Sequence, residues 1–263
     1  MSVEGKVTVV SGGTSGIGEE CVRLFARRGA RVVFTGTSQA KAAVVLEALK
    51  KEGLAKAVRF WRTDISREAD VQALASFVQK TFGDCELLCN NAGTFVGGVA
   101  HQTSPEDWAK VFGVNVTGTW LCCRAFLPGM LRNRRGAIVN TASISGMLGE
   151  YNMAAYCATK GAIIGLTQSM ALDYADSGIR VNAVCPGATR TPMFMSGTSP
   201  ELMKRFEAIF PPRRIGLPQE VAEAIVFLAS SEASFINGVL LPVDGGITAH
   251  TGQPRQDKAA ANA

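Results

Sequence analysis

Near the start of the chain, Gly12-Gly13-Thr14-Ser15-Gly16-Ile17-Gly18 restricts the fold more than any other stretch. Residues 6–11 (Lys-Val-Thr-Val-Val-Ser) precede it and read as a short β-branched strand buried on both faces. Residues 19–28 follow it, with Cys21, Val22, Phe25 and Ala26 at helical spacing. Glycines let the backbone turn sharply, and the N-terminus of a helix offers unpaired N–H groups to an anion. Strand, glycine turn and helix together make the phosphate-binding start of a dinucleotide fold. The spacing is G-x3-G-x-G, not the commoner G-x-G-x-x-G, and no Gly-Lys-Ser/Thr follows, which excludes a P-loop. Taken alone, the same residues also suit a merely tight turn between strand and helix.

The rest of the chain keeps alternating. Strands are expected over 6–11, 31–36, 57–62, 85–90, 136–143, 179–185 and 239–244, and helices over 16–28, 39–52, 67–82, 105–131, 154–176, 200–209 and 218–230. Such alternation predicts a parallel sheet with helices on both faces. Pro128-Gly129 should kink or end the long fourth helix. Two segments interrupt the rhythm: 92–104, with Gly93, Gly97 and Gly98, and 188–217, with Met193, Phe194, Met195, Phe206, Phe210 and Pro211-Pro212. Both leave strands at their carboxyl ends, where open α/β sheets bind ligands, and long connections there act as lids or binding loops. One domain over 1–249 and a frayed tail over 250–263 account for the length.

Composition excludes several classes. The chain is 47% hydrophobic and 19% charged, ordinary for a globular domain of 263 residues. No apolar run approaches a membrane span, and the N-terminus does not read as a signal peptide. Seven cysteines, an odd number without a CxxC pair, suit a reducing compartment, so a cytoplasmic protein without a membrane partner is expected. The net charge of +5 is mild and its arginines and lysines fall at helix ends and turns, which argues against a nucleic-acid partner. Two histidines, His101 and His250, are too few and too far apart for a metal site, and no metal is expected.

Tyr156 and Lys160 stand four apart on an expected helix and share one face. A free phenol titrates near pH ~10, and a neighbouring cation favours its phenolate. Ser143 lies upstream, at the end of the fifth strand. Two such residues at helical spacing can equally be a solvated face, so the pair gains meaning from its surroundings. Those surroundings are Ser11-Gly12…Gly16-Ile17-Gly18, Asp64-Ile65, Asn90-Asn91-Ala92-Gly93, Val114-Asn115, Ser143, Tyr156-x3-Lys160, Pro186-Gly187 with Thr191, and Val243-Asp244-Gly245-Gly246. In this order they resemble the short-chain dehydrogenase/reductase family from about residue 5 to 248.

The resemblance implies an α/β fold, a single doubly wound Rossmann-type domain with a mostly parallel seven-stranded sheet. It implies an NAD(P)-dependent oxidoreductase that interconverts a ketone and a secondary alcohol, with Asn115, Ser143, Tyr156 and Lys160 as catalytic residues. Tyr156 would exchange the proton, Lys160 lower its pKa and bind the nicotinamide ribose, and Ser143 donate to the substrate oxygen. Family spacing selects Ser143 over Ser145. Asn115 would kink its helix and hold a water linking the lysine to solvent. Cofactor contacts would come from Gly12, Thr14, Ser15, Gly16, Ile17, Gly18, Thr37, Ser38, Asp64, Ile65, Asn91, Ala92, Gly93, Tyr156, Lys160, Pro186, Gly187, Thr189 and Thr191. Residues 188–217 match the family's mobile substrate loop. Phe95, Met147 and Phe194 would line the substrate pocket with Ser143 and Tyr156, while Glu150 and Asn152 could add polar contacts. Cys157, beside Tyr156 but without a positioned base, reads as a packed residue.

An acidic residue at the end of the second strand favours NAD through the ribose 2′-OH. Here that stretch is Phe34-Thr35-Gly36-Thr37-Ser38, without a carboxylate, so NADP(H) is favoured and NAD(H) remains open. The Thr-x-Thr-Ser run is similar to the NADP-using ketoreductases of fatty-acid synthesis, although Ser15 stands where those often carry a basic residue. An isomerase or lyase, or a nucleotide-binding regulator without catalysis, would use the same scaffold. The resemblance also implies a homotetramer, and Trp120, Leu121, Cys122, Phe126, Ile163, Ile164, Leu166 and Met170 give the helices at 105–131 and 154–176 more apolar surface than one core face needs.

Overall fold

The structure, a computed structural model, describes residues 2–253, so most of the expected tail lies outside the described residues. All five residues of β1 (Val7–Ser11) are buried, as a strand covered on both faces requires. Its side chains alternate between two cores: Val10 packs with Phe25, Val226 and Ile225, while Val7 and Val9 pack with Leu74, Phe126 and Met130.

The chain then continues as α1 (Gly16–Arg27), β2 (Arg31–Gly36), α2 (Gln39–Lys51), β3 (Val58–Arg62), α3 (Glu68–Phe82) and β4 (Leu87–Asn90). A second half follows with α4 (Pro105–Phe112), α5 (Thr119–Asn133), β5 (Gly136–Thr141), α6 (Ile144–Met147), α7 (Ala154–Asp173) and β6 (Ile179–Pro186). It closes with α8 (Pro192–Met195), α9 (Pro200–Ile209), α10 (Pro218–Ala229) and β7 (Leu240–Val243). The strands form one seven-stranded sheet in the order β3-β2-β1-β4-β5-β6-β7. Every pairing is parallel, so the sheet is wholly parallel where a mostly parallel one was expected.

The strand order reverses between β1 and β4, whose ends meet at Ser11 and Asn90. Chain leaving those two strands must turn to opposite sides, and the crevice between them is where such sheets bind ligands. A buried polar ladder sets the register beneath it. Asn90 Nδ2 donates to Asn140 Oδ1 at 2.9 Å, and Asn140 Nδ2 donates to Thr167 Oγ1 at 2.9 Å. Each amide buried here needs its partner, so β4, β5 and α7 are tied in one arrangement.

The expected fourth helix is helical throughout from Pro105 to Asn133. It widens at Gly113–Gly118 into a π-helical turn that joins α4 to α5 and contains Asn115. Pro128 does not end α5, which runs on to Asn133 and stops where Arg134 takes φ 47°. The irregularity lies at Asn115, a candidate site residue, and not at the proline. Among the described residues no helix is long and apolar enough to cross a membrane.

Candidate active site

The glycine turn is shaped as a cradle. Gly12 and Gly16 hold φ of 68° and 57°, the left-handed region that favours glycine. A Cβ on Gly12 would stand 2.7 Å from the Ala92 Cα, and one on Gly18 would stand 2.2 Å from the Gly12 carbonyl oxygen. Ser11 Oγ accepts from the Asn91 and Ala92 amides at 3.0 Å each, and Asn91 Nδ2 donates to the Gly12 carbonyl at 3.3 Å. These contacts lock the two loops that flank the crevice. Ser15, the N-cap of α1, makes no side-chain cap bond, so the first N–H groups of that helix are left for an anion. Thr191 faces the turn from the far loop, 3.2 Å from where a Cβ on Gly16 would lie. A dinucleotide's pyrophosphate fits this cradle.

At the end of β2 the groove is floored differently from the sequence reading. Gly36 has no room for a side chain, because a Cβ there would stand 2.7 Å from Thr14 Cγ2. Thr37 is exposed, and Ser38 caps α2 by accepting from the Lys41 amide at 3.3 Å. Thr37 shares a cavity with Arg62, Asp64, Arg67 and Asp70. Arg62 Nε donates to the Thr37 carbonyl at 3.1 Å. Neither arginine was singled out from sequence, because the crossover through α2 separates both from Thr37 along the chain. Asp64 accepts from Ser66, whereas Ile65 is turned into the core against Gly118 and offers a ligand only its backbone.

Tyr156 and Lys160 lie on the first turns of α7, and Ser143 lies just beyond β5 as the N-cap of α6. Tyr156 is hydrogen-bonded to Ser143, and its phenol is pushed up to about 12, first by burial and then by Glu150 and Cys157. The Lys160 ammonium sits 5.5 Å from the Tyr156 ring centre and donates to the Thr141 carbonyl at 2.7 Å. Burial lowers Lys160 to about 8. The expected lowering of the tyrosine by the lysine is therefore not found: burial raises the phenol, and the hydrogen bond with Ser143 is what acts against it.

Asn115 is buried in the π-turn, with its amide fully used. Its Oδ1 accepts from the Thr94 amide at 2.8 Å, and its Nδ2 donates to the Thr94 carbonyl at 3.0 Å and to Thr159 Oγ1 at 3.1 Å. Asn115 thus staples the loop after β4 to α7, one residue from Lys160. A Cβ on Gly93 would lie 3.9 Å from Lys160 Nζ, so that glycine borders the same spot. Thr94 and Thr159 were missed in the sequence, since a threonine beside a motif carries no signal of its own.

Around the phenol, Phe95 sets its ring edge-on to Tyr156 at 5.4 Å. Met147 is exposed at the end of α6, and Phe194 packs edge-on to Phe206 at 5.0 Å, joining α8 to α9. Pro186 ends β6 and its carbonyl accepts from Ser143 Oγ at 3.5 Å. Gly187 lies against Asp244, and Thr189 is buried with its hydroxyl on the Gly187 carbonyl at 2.9 Å. The Cys157 thiol is pushed up by burial, which disfavours the thiolate a nucleophile would need. His101 and His250 are both exposed.

Comparison with known proteins agrees with this geometry. The family described as enoyl-(acyl carrier protein) reductase matches residues 12–248. The chain is 40% identical to a meso-2,3-butanediol dehydrogenase of Serratia marcescens, over 97% of this chain and 99% of that one. It is also 40% identical to 2-(S)-hydroxypropyl-CoM dehydrogenase 3 of Xanthobacter autotrophicus, over 94% and 98%. A solved structure described as ElxO with NADP bound superposes with a TM-score of 0.87 at 31% identity, covering 93% of this chain and 99% of that one. With the glycine cradle, the parallel sheet and the Ser–Tyr–Lys cluster in place, the chain belongs to the short-chain dehydrogenase/reductase family, whose members are NAD(P)-binding oxidoreductases.

Proposed function

We propose that the protein interconverts a ketone and a secondary alcohol, with Tyr156 exchanging the proton and NADP(H) as the favoured partner. The observation that carries this reading is the Tyr156–Ser143 hydrogen bond beside the buried ammonium of Lys160. The nicotinamide supplies or takes the hydride. With its phenol pushed up to about 12, Tyr156 keeps its proton at neutral pH and is ready to give it to a carbonyl oxygen. Ser143 holds that oxygen beside the phenol, and Lys160, freed from the Thr141 carbonyl, binds the nicotinamide ribose. Asn115 keeps α7 and the loop after β4 in register, so the proton donor stays aimed.

NADP(H) is supported by the carboxylate-free end of β2 and by Arg62 and Arg67 in the cavity beside Thr37. A 2′-phosphate there would meet guanidinium donors. The structural relative described with NADP bound is consistent with this.

The test is Tyr156→Phe. It should lower kcat by about 10²–10⁴-fold while leaving NADPH affinity, read by fluorescence titration, within a few-fold of wild type. A variant that turns over ketones at the wild-type rate would overturn the assignment.

A further inference from the structure

One carboxylate stands beside the catalytic hydroxyls. Glu150 leaves the loop after α6, and its Oε2 accepts from Ser145 Oγ at 2.5 Å. Ser143 Oγ lies 3.1 Å from Ser145 Oγ. A hydroxyl has one proton to give, and a carboxylate can only accept. Ser145 gives its proton to Glu150, and Ser143 shares its own between Ser145 Oγ and the Pro186 carbonyl. Ser143 Oγ also accepts from the Ser145 amide at 3.1 Å. Both serine protons point away from the phenol, toward Ser145, the Pro186 carbonyl and Glu150. Neither serine proton is left for a substrate carbonyl.

A substrate hydroxyl that replaces Ser145 on the carboxylate reverses this arrangement. The geometry points to Glu150 as the residue that selects the substrate class: a ketone with a hydroxyl on the adjacent carbon, interconverted with the vicinal diol. The substrate's hydroxyl donates to Glu150, and Ser145 turns its proton back to Ser143. Ser143, now saturated from behind, donates to the substrate carbonyl, and Tyr156 is free to donate to the same oxygen. Two hydrogen bonds separate Ser143 from Glu150, which suits two oxygens on neighbouring carbons. Glu150 is exposed and its Oε1 accepts no hydrogen bond among the described residues, so it has capacity for a ligand. The same charge repels a keto acid whose carboxylate would fall at that place. Phe95, against the Tyr156 ring, leaves the other side apolar, which suits an alkyl substituent.

This inference rests on the ketone–alcohol reading proposed above. The experiment compares kcat/KM for 3-hydroxybutan-2-one, 3-methoxybutan-2-one, butan-2-one and 2-oxobutanoate in wild type, Glu150→Gln and Glu150→Leu. The methoxy compound keeps the bulk and loses the donor. In wild type the hydroxyketone should exceed the methoxyketone by about tenfold to a hundredfold. Glu150→Leu should erase that ratio, and Glu150→Gln should keep part of it and improve 2-oxobutanoate. Glu150→Gln carries the comparison if the leucine variant does not fold. Equal use of the hydroxy and methoxy ketones by wild type, or a preference that survives both substitutions, overturns the role of Glu150 and leaves the ketone–alcohol reading standing. Failure of wild type to reduce any ketone with either cofactor overturns both.

Discussion

The Lys160 ammonium lies 5.5 Å from the centre of the Tyr156 ring, and its hydrogen bond runs to the Thr141 carbonyl at the end of β5. Four residues of α7 bring the two side chains to one face, but it is the strand end that holds the ammonium in place. The lysine is buried, so its charge is costly here, and the tyrosine is held as phenol. Both features bear on what pH does to this protein.

Lys160 is lowered from 10.5 to about 8 in the folded chain. The unfolded chain therefore binds this proton more tightly, and burial of the ammonium opposes folding fully below about pH 8. The penalty fades as pH rises toward 10.5, where the group is neutral in both states. Lys160→Met should abolish turnover yet raise the unfolding free energy at pH 7, by up to about 3 kcal/mol less about 1 for the Thr141 carbonyl left unpaired. Urea melts at pH 7 and pH 10 check this; a less stable variant at pH 7 would contradict it.

Tyr156 is raised to about 12, so the acid form persists across neutral pH and the base form is scarce. Ketone reduction should be level from about pH 6 to 9, whereas alcohol oxidation should climb by up to about tenfold per pH unit over the same range. Initial rates in both directions at saturating cofactor would show it. Oxidation that plateaus below pH 8 would mean a phenolate far easier to form than this burial allows.

Ser143→Ala removes the hydroxyl bonded to Tyr156 and should lower kcat by about 10²-fold. Ser145→Ala leaves Ser143 and Tyr156 in contact and should cost less than about tenfold with butan-2-one. The reverse order in steady-state assays would assign the substrate oxygen to the wrong serine.

Cofactor preference is best tested at Thr37. Aspartate at Gly36 would clash with Thr14, whereas Thr37 is exposed and borders Arg62 and Arg67. Thr37→Asp should repel a 2′-phosphate and accept a hydrogen bond from a free 2′-OH, moving the ratio of kcat/KM for NADPH over NADH at least about tenfold toward NADH. Binding of 2′,5′-ADP by calorimetry should weaken in parallel. Wild type that prefers NADH tenfold would overturn the NADP(H) assignment.

Assembly can be read from what the core leaves uncovered. Leu121, Cys122, Phe126, Ile163 and Met170, expected to supply surplus apolar surface, are buried within the chain itself. Trp108, Trp120, Leu131 and Leu172 on α4, α5 and α7 remain exposed, Leu172 at 81%. Light scattering at micromolar concentration should give a tetramer, and Trp120→Asp with Leu172→Asp should lower the mass. A monomeric wild type would refute it.

The strands and helices were legible because each announces itself locally. Val7 to Val10 are β-branched and buried on both faces, and Cys21, Val22 and Phe25 recur at helical spacing, so period alone fixed β1 and α1. The glycines and the Tyr156–Lys160 spacing likewise carry their chemistry in sequence order. Tertiary structure decided what depends on distant chain. The parallel pairing of β4 with β5 and the docking of α7 set Lys160 against the Thr141 carbonyl, and the resulting burial, not the four-residue spacing, governs both pKa values. The crossover through α2 separates Thr37 from Arg62 and the sheet reunites them; the π-turn at Asn115 depends on Thr94 and Thr159, which flank it in space only. Local propensity acts through neighbours on the chain, whereas desolvation and hydrogen-bond saturation act through whatever the fold packs nearby.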